Sequence, residues 1–514
     1  MVKTYINPII RGMHPDPSVV RVSDTYYLAN STFEYYPGVM LLTSKDLLNW
    51  TTLGGVATVP KQADLRNAKS NEGIFAANIR YHDGHFYVIT TNFAEFKTFI
   101  IRGTLSENKK EIIWDKKRIE VNVPGIDPDL YFEDDRVYVQ FTGYIDDKGT
   151  KAIRQVEIDP KTGEILAGPK ILSYGTGGRD VEGPHILKKD GWYYLLTAEG
   201  GTGQGHMITI FRSKQLWGPY EAPKDINPIF TNRDRATEPI QNIGHGDLFT
   251  DVNGNWWLVC LGTRPAQVGF KQITNMGRET LLYPVVWENG WPVINNGVPT
   301  QKVDLTDFPE HAATLPNKQV ITNFEDNFEE ENLRPEWITL RDSLKDNLSI
   351  KDGKLFLRGN SYLVSNLATP AFVGLRQTEH HQNFIVELDI VETQFNDGEL
   401  GIVSLIDADN HVALMIKENN GHFDVIRDQQ IEDVKINEKI GELSTKPVKF
   451  ELVNTKELKR FSVSDQKGNE VVFTTDAIHL SNEAIAALNT GDMEGLYAKG
   501  NAIMAVNEVK RDNL

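Results

Sequence analysis

The chain has 514 residues, 40% of them hydrophobic and 24% charged, and its 54 Lys and Arg against 71 Asp and Glu give a formal net charge of −17. This acidic balance argues against a nucleic-acid scaffold, because phosphate-binding surfaces are built from clustered Lys and Arg. No stretch approaches the roughly 18 consecutive apolar residues of a membrane helix, so the sequence predicts no membrane protein.

The beginning of the chain and its single cysteine predict a cytoplasmic protein. The first residues, MVKTYINPIIRG, lack the apolar core and the cleavage site of a secretory signal. One cysteine excludes an internal disulfide framework. Cys260 lies in the apolar run WWLVCLG, which predicts a buried core thiol rather than a nucleophile.

One pattern recurs five times in the first 260 residues: a polar residue, a short apolar strand, a turn rich in Asp and Gly, and an aromatic pair that opens a second strand. The copies are DPSVVRVSDTYYLAN, NIRYHDGHFYVITT, DPDLYFEDDRVYVQF, EGPHILKKDGWYYLLT and GHGDLFTDVNGNWWLVC, which begin at Asp16, Asn78, Asp127, Glu182 and Gly244. Their spacing leaves room for about four short strands in each. Five such units predict a five-bladed β-propeller, and a large β-sandwich with coincidental hairpins is the alternative.

The second part of the chain has a different pattern. Residues 301–322 are polar and contain Pro309 and Pro316, which is typical of a linker. Farther along, alternating strands such as NFIVELDIVET, HVALMIKEN and VKFELVN predict two sheets packed face to face. The chain is therefore predicted to be all-β, with a propeller over residues 1–300, a linker over 301–322 and a β-sandwich over 323–514.

The polar residues that open the repeats are expected to meet at one end of the propeller channel, because the first strand of each blade lines that channel. Three of them are carboxylates, Asp16, Asp127 and Glu182. Gathering carboxylates is costly unless chemistry or a cation uses them. Glycoside hydrolysis needs one protonated carboxyl group for the leaving oxygen and one ionised carboxylate for water or the sugar. The rival interpretation is a cation site, with His245 and Asp247 as ligands.

Motifs along the same residues resemble those of the family 43 glycoside hydrolases with a five-bladed propeller. They are HPDPS from His14, GIDPDLYF from Gly125, EGPHI from Glu182, AEGGTGQGH from Ala198 and GRET from Gly277. The resemblance covers residues 6 to about 295. The C-terminal region resembles the concanavalin-like jelly roll carried by the β-xylosidase branch of that family.

This resemblance implies an inverting mechanism. Asp16 would be the general base, Glu182 the general acid, and Asp127 would hold Glu182 and raise its pKa. An Asp ahead of Pro at a strand start can accept hydrogen bonds and stay ionised, whereas burial beside Asp127 favours a protonated Glu182. The resemblance also implies a sugar pocket bounded by Phe33, Phe75, Thr202, His245 and Arg278.

Two departures from the family pattern concern the substrate. Phe75 stands where the family commonly has Trp, so the stacking face is smaller and lacks an indole N–H. In the segment ALNTGDMEGLYAKGN, Leu488 stands where related enzymes insert an aromatic side chain from the sandwich into the mouth of the site.

The function expected from these residues is that of an exo-acting hydrolase that releases terminal xylose from β-1,4-xylo-oligosaccharides. An α-L-arabinofuranosidase, or an enzyme with both activities, is the close alternative, since the two sugars present similar hydroxyl groups. A sugar-binding propeller without catalysis is the distant one. No cofactor is required, with a structural calcium ion near His245 as a further alternative. We expect a homo-oligomer, a dimer or tetramer, that binds neither nucleic acid nor membrane.

Overall fold

The computed structural model describes residues 3–107, 111–321 and 323–514. Apart from one short α-helix and two 3-10 turns at Asn295–Gly297 and Ala477–Leu480, the regular elements in these ranges are β-strands, and the strands pair antiparallel. The predicted all-β class is confirmed. No helix among the described residues has the length and apolar character needed to cross a membrane.

Most of the N-terminal strands belong to two sheets. The first strands are β1 (Thr4–Ile6), β2 (Ser18–Val22), β3 (Thr25–Asn30), β4 (Tyr35–Tyr36), β5 (Gly38–Ser44) and β6 (Thr51–Ala57). Strands β2, β3, β5 and β6 pair in that order as the first sheet. The second sheet consists of β7 (Asn78–His82), β8 (His85–Asn92), β9 (Lys97–Leu105), β10 (Ile112–Trp114) and β11 (Ile119–Val121). Here β7 to β10 pair in order, and β11 also pairs with β9.

Three further sheets follow in chain order. The third consists of β12 (Gly125–Glu133), β13 (Arg136–Tyr144), β14 (Lys151–Ile158) and β15 (Ile165–Ser173), and the fourth of β16 (Glu182–Lys189), β17 (Trp192–Glu199) and β18 (Met207–Ser213). Next come β19 (Gln241–Thr250), β20 (Trp256–Thr263), β21 (Ala266–Val268), β22 (Lys271–Ile273), β23 (Glu279–Glu288) and β24 (Trp291–Ile294). Strands β19, β20, β23 and β24 form the fifth sheet, and β21 pairs with β22 as a separate hairpin.

The first strands of the five sheets contact one another in a ring. Strand β2 contacts β7, β7 contacts β12, β12 contacts β16, β16 contacts β19, and β19 returns to β2. Neighbouring sheets share apolar cores because side chains alternate between the two faces of a strand. On β8, Val88 belongs to the core shared with the first sheet and Ile89 to the core shared with the third. Cys260 of the fifth sheet is buried, as predicted.

The segment predicted as a linker carries regular structure. Strand β25 (Lys302–Asp304) pairs with β1, and helix α1 (Pro309–Thr314) follows it. Pro309 occupies the first turn of α1, where its missing N–H leaves no hydrogen bond unmade. His311 of this helix is buried and contacts the carbonyl oxygen of Trp256 at 2.9 Å. Thr322, the last residue of the predicted linker, lies outside the described residues.

Two larger sheets occupy the C-terminal region. The strands of this region are β26 (Phe324–Asp326), β27 (Thr339–Leu340), β28 (Leu348–Lys351), β29 (Lys354–Arg358), β30 (Ala371–Arg376), β31 (Gln382–Leu388), β32 (Glu399–Asp407), β33 (Asn410–Asn419), β34 (His422–Ile431), β35 (Val434–Leu443), β36 (Pro447–Asn454), β37 (Leu458–Asp465), β38 (Glu470–Asp476), β39 (Met493–Lys499) and β40 (Ile503–Asn513). One sheet has the order β28-β29-β40-β31-β36-β37-β38, with β26 against β40, and the other has the order β30-β39-β32-β33-β34-β35. One apolar core includes Phe384 and Phe450 of the first sheet and Leu414 and Leu496 of the second.

Direct contacts join the two regions. Strand β27 of the C-terminal region pairs with β4 of the N-terminal region. The Nε of Arg376 donates to the carbonyl oxygen of Met13 at 2.7 Å, and Arg264 forms an ion pair with Glu379 at 2.9 Å. The C-terminal region is therefore packed against the strands that carry the candidate site.

Candidate active site

Irregular backbone at strand starts places the three carboxyl groups. Asp16 lies two residues before β2 with φ at 51°. Asp127 also has φ at 51° and lies at a bulge in the pairing of β12 with β13. Glu182 opens β16 directly before a second bulge. Asp adopts left-handed backbone more readily than most residues, and a bulge re-aims the side chains beside it.

One cavity of about 270 Å³ collects these groups. All eight residues that the sequence assigned to catalysis or to the sugar pocket line it: Asp16, Phe33, Phe75, Asp127, Glu182, Thr202, His245 and Arg278. They come from separate sheets and meet only because the first strands of those sheets adjoin.

Asp16 is held in its ionised form. Arg278 Nη1 lies 2.9 Å from Asp16 Oδ1, the Ser31 hydroxyl donates to Oδ2 at 2.5 Å, and His245 Nδ1 lies 3.7 Å from Oδ1. Burial opposes ionisation, but Arg278, His245 and Ser31 outweigh it and lower the pKa of Asp16. A carboxylate that is ionised at neutral pH can accept a proton.

Asp127 and Glu182 show the opposite shift. Burial raises the pKa of Asp127 to about 7, and the charge of Asp16 adds to that shift. Burial likewise raises the pKa of Glu182 to about 7, with the charge of Asp127 as the next cause. Two interacting carboxyl groups titrate as a pair, so near pH 7 a proton remains available in this part of the cavity.

Gly183 allows the acidic pair and His245 to lie close together. Its N–H donates to Asp127 Oδ2 at 3.2 Å. Its φ is 58°, and a Cβ atom at this position would lie 3.0 Å from the His245 ring. Burial lowers the pKa of His245 although Asp16 opposes the shift, so a neutral imidazole faces the cavity at pH 7.

Arg278 forms a further wall of the cavity. It is 5% exposed, and its Nη1 also donates to Thr202 Oγ1 at 3.2 Å. Its Nη2 donates to the carbonyl oxygen of Asn489 at 3.4 Å, and its guanidinium carbon lies 5.5 Å from the ring centre of Phe33. Arg278 therefore supplies positive charge where the carboxyl groups gather.

Three phenylalanines make the apolar side of the cavity. The ring centres of Phe33 and Phe75 lie 5.5 Å apart, and Phe75 stacks on Phe93 at 4.6 Å with an angle of 3° between the rings. The motifs did not mark Phe93. It extends the face that Phe75 offers, and an apolar face of this kind suits the C–H side of a sugar ring.

Lys151 and Asp180 also line the cavity, and neither was predicted from the sequence. Lys151 Nζ lies 3.5 Å from Glu182 Oε2 and 3.0 Å from Asp180 Oδ1. Lys151 begins β14, a strand position that the repeat pattern does not mark. Asp180 stands two residues before Glu182. Its proximity in the chain to the predicted acid could have marked Asp180 as a further cavity residue.

The C-terminal region contributes Asn489 to the cavity wall. Leu488, the residue expected at the mouth of the site, is not among the described residues that line the cavity, and its side chain lies beside Gly203. The residue from this loop that reaches the cavity is thus polar and one position further along.

Asp247 belongs to a neighbouring buried cluster. Arg80 lies 2.8 Å from Asp247 Oδ2 and 2.7 Å from Asp129 Oδ2, and His185 Nδ1 lies 3.0 Å from the same Asp129 oxygen. Arg80 neutralises the carboxylate that a cation between His245 and Asp247 would need. In the part of the chain that the structure describes, no group of three or more His, Cys, Asp or Glu is arranged to hold a metal ion. The calcium ion near His245 stays a prediction.

Comparison with known proteins places the chain in a family. Residues 5–292 match the model of glycosyl hydrolases family 43, and residues 325–510 match the model of the beta xylosidase C-terminal concanavalin A-like domain. The chain belongs to glycoside hydrolase family 43. The resemblance noted in the motifs is confirmed.

This family 43 chain has full-length relatives with two kinds of name. It is 33% identical to a non-reducing end alpha-L-arabinofuranosidase of Bacteroides ovatus, over 99% of this chain and 94% of that protein. It is 34% identical to a xylosidase/arabinosidase of Butyrivibrio fibrisolvens, over 96% of each. A solved xylan beta-1,4-xylosidase from Bacillus halodurans matches with a TM-score of 0.88 at 27% identity, covering 99% of this chain and 100% of that one. The family 43 protein is therefore a glycosidase.

Proposed function

We propose that this glycosidase is an inverting, exo-acting β-1,4-xylosidase that releases terminal xylose from the non-reducing end of xylo-oligosaccharides. The supporting observation is the divided ionisation around one cavity. The pKa of Asp16 is lowered, whereas the pKa values of Asp127 and Glu182 are raised to about 7. An inverting glycosidase needs an ionised base and a protonated acid at the same time.

In this mechanism Asp16 takes a proton from water, and the water oxygen forms the new bond to the anomeric carbon. Glu182 gives its proton to the glycosidic oxygen as the old C–O bond breaks. Burial keeps Glu182 protonated, the negative charge of Asp127 adds to that effect, and Asp127 is fixed by the Gly183 N–H. The carboxyl groups of Asp16 and Glu182 would then stand roughly 6.5–9.5 Å apart, which leaves room for the water.

The size and setting of the cavity support exo action on a small sugar. Its volume of about 270 Å³ lies below the roughly 300–1,000 Å³ of pockets for drug-sized ligands. The ring of first strands supports a five-bladed propeller whose channel opens at this cavity. Such a site would accept one terminal pentose, with Arg278, Thr202 and His245 on its hydroxyl groups and the phenylalanines on its apolar face.

An α-L-arabinofuranosidase, or an enzyme with both activities, is the second candidate. The name of the Bacteroides ovatus relative favours it, since the similarity to that protein extends over 99% of this chain. Both terminal pentoses would need the same acid and the same base.

Kinetics on an aryl β-xyloside and an aryl α-L-arabinofuranoside, measured side by side, test the substrate. We expect the higher kcat/KM on the xyloside, and a clear preference for the arabinofuranoside would replace the first candidate by the second. NMR of the first product tests the stereochemistry. Release of α-xylose from a β-xyloside is expected, and initial release of β-xylose would refute inversion.

A further inference from the structure

The loop that carries Arg278 is anchored to the C-terminal region. Residues 274–277 lie between β22 and β23, outside regular pairing. The side-chain amide of Asn275 donates to the carbonyl oxygens of Ala477 at 2.8 Å and Leu480 at 2.6 Å. In return, the N–H of Asp492 donates to the Asn275 carbonyl oxygen at 2.7 Å. This loop is therefore held by groups that lie some 200 residues further along the chain.

Two glycines bring the backbones of these segments into direct contact. A Cβ atom on Gly491 would lie 2.4 Å from both the carbonyl carbon and the carbonyl oxygen of Met276, and 2.6 Å from the Gly277 nitrogen. A Cβ atom on Gly277 would lie 2.7 Å from the Thr490 carbonyl oxygen. These neighbours are backbone atoms, which cannot swing away as a side-chain tip can. Any side chain at position 491 must push the Arg278 loop away.

The segment that contains Gly491 also contacts the side chain of Arg278. Arg278 reaches Asp16 at 2.9 Å through Nη1 while its Nη2 rests on the Asn489 carbonyl oxygen at 3.4 Å. The side chain of Asn489 donates to the Asn71 carbonyl oxygen at 3.3 Å, close to the residues that lead to Phe75. Segment 489–492 thus contacts the backbone of residues 275–277, directly before Arg278, and the Arg278 guanidinium itself.

We propose that segment 489–492 is a positioning element for Arg278 and that Gly491 is its decisive residue, because only a residue without a side chain lets the guanidinium reach Asp16. The proposal rests on the proposed function, in which Arg278 holds Asp16 as an ionised base. The C-terminal region then takes part in setting the base, in addition to lining the cavity with Asn489.

Displacing Arg278 changes the electrostatics of Asp16 in a defined direction. The charged and titratable groups that face Asp16 are Arg278, His245, His206 and Asp127. Arg278 is the largest influence that lowers the pKa of Asp16, and burial opposes it. With Arg278 withdrawn, Asp16 loses its proton only at higher pH, so the acid limb of the pH profile of kcat/KM moves upward.

Gly491→Ala in the full chain tests the proposal. Gly491 does not have the left-handed φ that makes Gly277 intolerant of side chains, so this substitution changes space and not backbone preference. Gly441→Ala is the matched control, since its Cβ atom would meet the side chain of Val471 at 2.7 Å, within the C-terminal region and away from the loop. We expect Gly491→Ala to lower kcat/KM about 100-fold and to raise the acid limb by on the order of one pH unit. Gly441→Ala should shift only the melting temperature.

A kcat/KM within about twofold of the unmodified protein, together with an unmoved acid limb, overturns the proposal. If Gly491→Ala does not fold, Asn275→Ala removes two hydrogen bonds of the loop and is expected to move the acid limb in the same direction. A crystal structure of the variant separates this inference from the function. Arg278 standing away from Asp16 supports positioning even if no xyloside is cleaved, and an unchanged 2.9 Å contact refutes it.

Discussion

The N-terminal and the C-terminal sheets both consist of antiparallel strands, but irregular positions and regular positions in these strands place charged side chains in different ways. In the first region Asp16, Asp127 and His245 stand at left-handed positions, two residues before β2 or at bulges in β12 and β19, and their side chains line an open cavity. In the second region Lys499 of β39 pairs across the sheet with Asp428 of β34 at 2.9 Å and with Glu399 of β32 at 2.7 Å. Irregular backbone before a strand or at a bulge places the reactive groups, whereas regular strand pairs hold charges that neutralise one another.

Glu182→Ala is the strongest way to test this difference. Removing the proton donor is expected to lower xylobiose hydrolysis by about 10²–10⁴-fold. An aryl glycoside with a good leaving group should lose less, because its oxygen needs little protonation. Steady-state kcat/KM on both substrates measures the split.

Asp428→Asn is the control from the C-terminal region. It removes the charge that pairs with Lys499, so we expect a lower melting temperature and an unchanged kcat/KM. Equal losses on both substrates in Glu182→Ala would argue against Glu182 as the acid. A large loss of kcat/KM in Asp428→Asn would contradict the assignment of catalytic charge to the first region alone.

Lys151→Met gives a smaller effect, on pH dependence. Glu182 must be protonated, so activity is lost as the pH rises through its pKa of about 7. Lys151, 3.5 Å away, lowers that pKa. Removing the ammonium group should raise the basic limb of kcat/KM by on the order of one pH unit.

The exposed Lys188 offers a matched control for that shift. It pairs with Glu133 at 2.5 Å on the outer part of the same region. Lys188→Met is expected to leave the basic limb in place. If the limb does not move in Lys151→Met, another group sets the upper pH limit.

Much of the strand order could be predicted, because a polar residue, an Asp or Gly turn and an aromatic pair recur where the sheets begin. Register could not. The bulge between Ile126 and Asp129 leaves no periodic signal, yet it places Asp127. Strand β25 was missed for a similar reason, since its three residues show too little alternation to detect and are stabilised by pairing with distant β1.

The cavity residues likewise fall into those that a local motif predicts and those that it does not. Asp16 and Glu182 lie in local motifs, so the sequence marks them. Lys151 and Asn489 reach the cavity only through tertiary packing. Lys151 comes from strand β14, and Asn489 from a loop that follows Arg278 by more than 200 residues. Local motifs carry no information about contacts between residues so far apart in the chain. Leu488 was therefore predicted at the mouth of the site, where the structure has Asn489.

The smallest expected effect is on stability, at the junction of the two regions. Glu34 is fully buried there, and burial together with the charge of Asp407 raises its pKa to about 8. The folded protein therefore holds this proton more tightly than the unfolded chain, whose Glu has an ordinary pKa of about 4.3. Between these two values a rise in pH lowers the free energy of unfolding.

Glu34→Gln stays neutral and can still accept the Asn71 N–H, which lies 3.2 Å from Oε2. Melting curves at pH 5 and pH 9 should show little difference from the unmodified protein at pH 5 and a gain of about 1–3 kcal/mol at pH 9. The exposed Glu330→Gln should show neither change. If Glu34→Gln is less stable at pH 9 as well as at pH 5, the ionised Glu34 carboxylate stabilises this junction, and the expected loss of stability with rising pH is wrong.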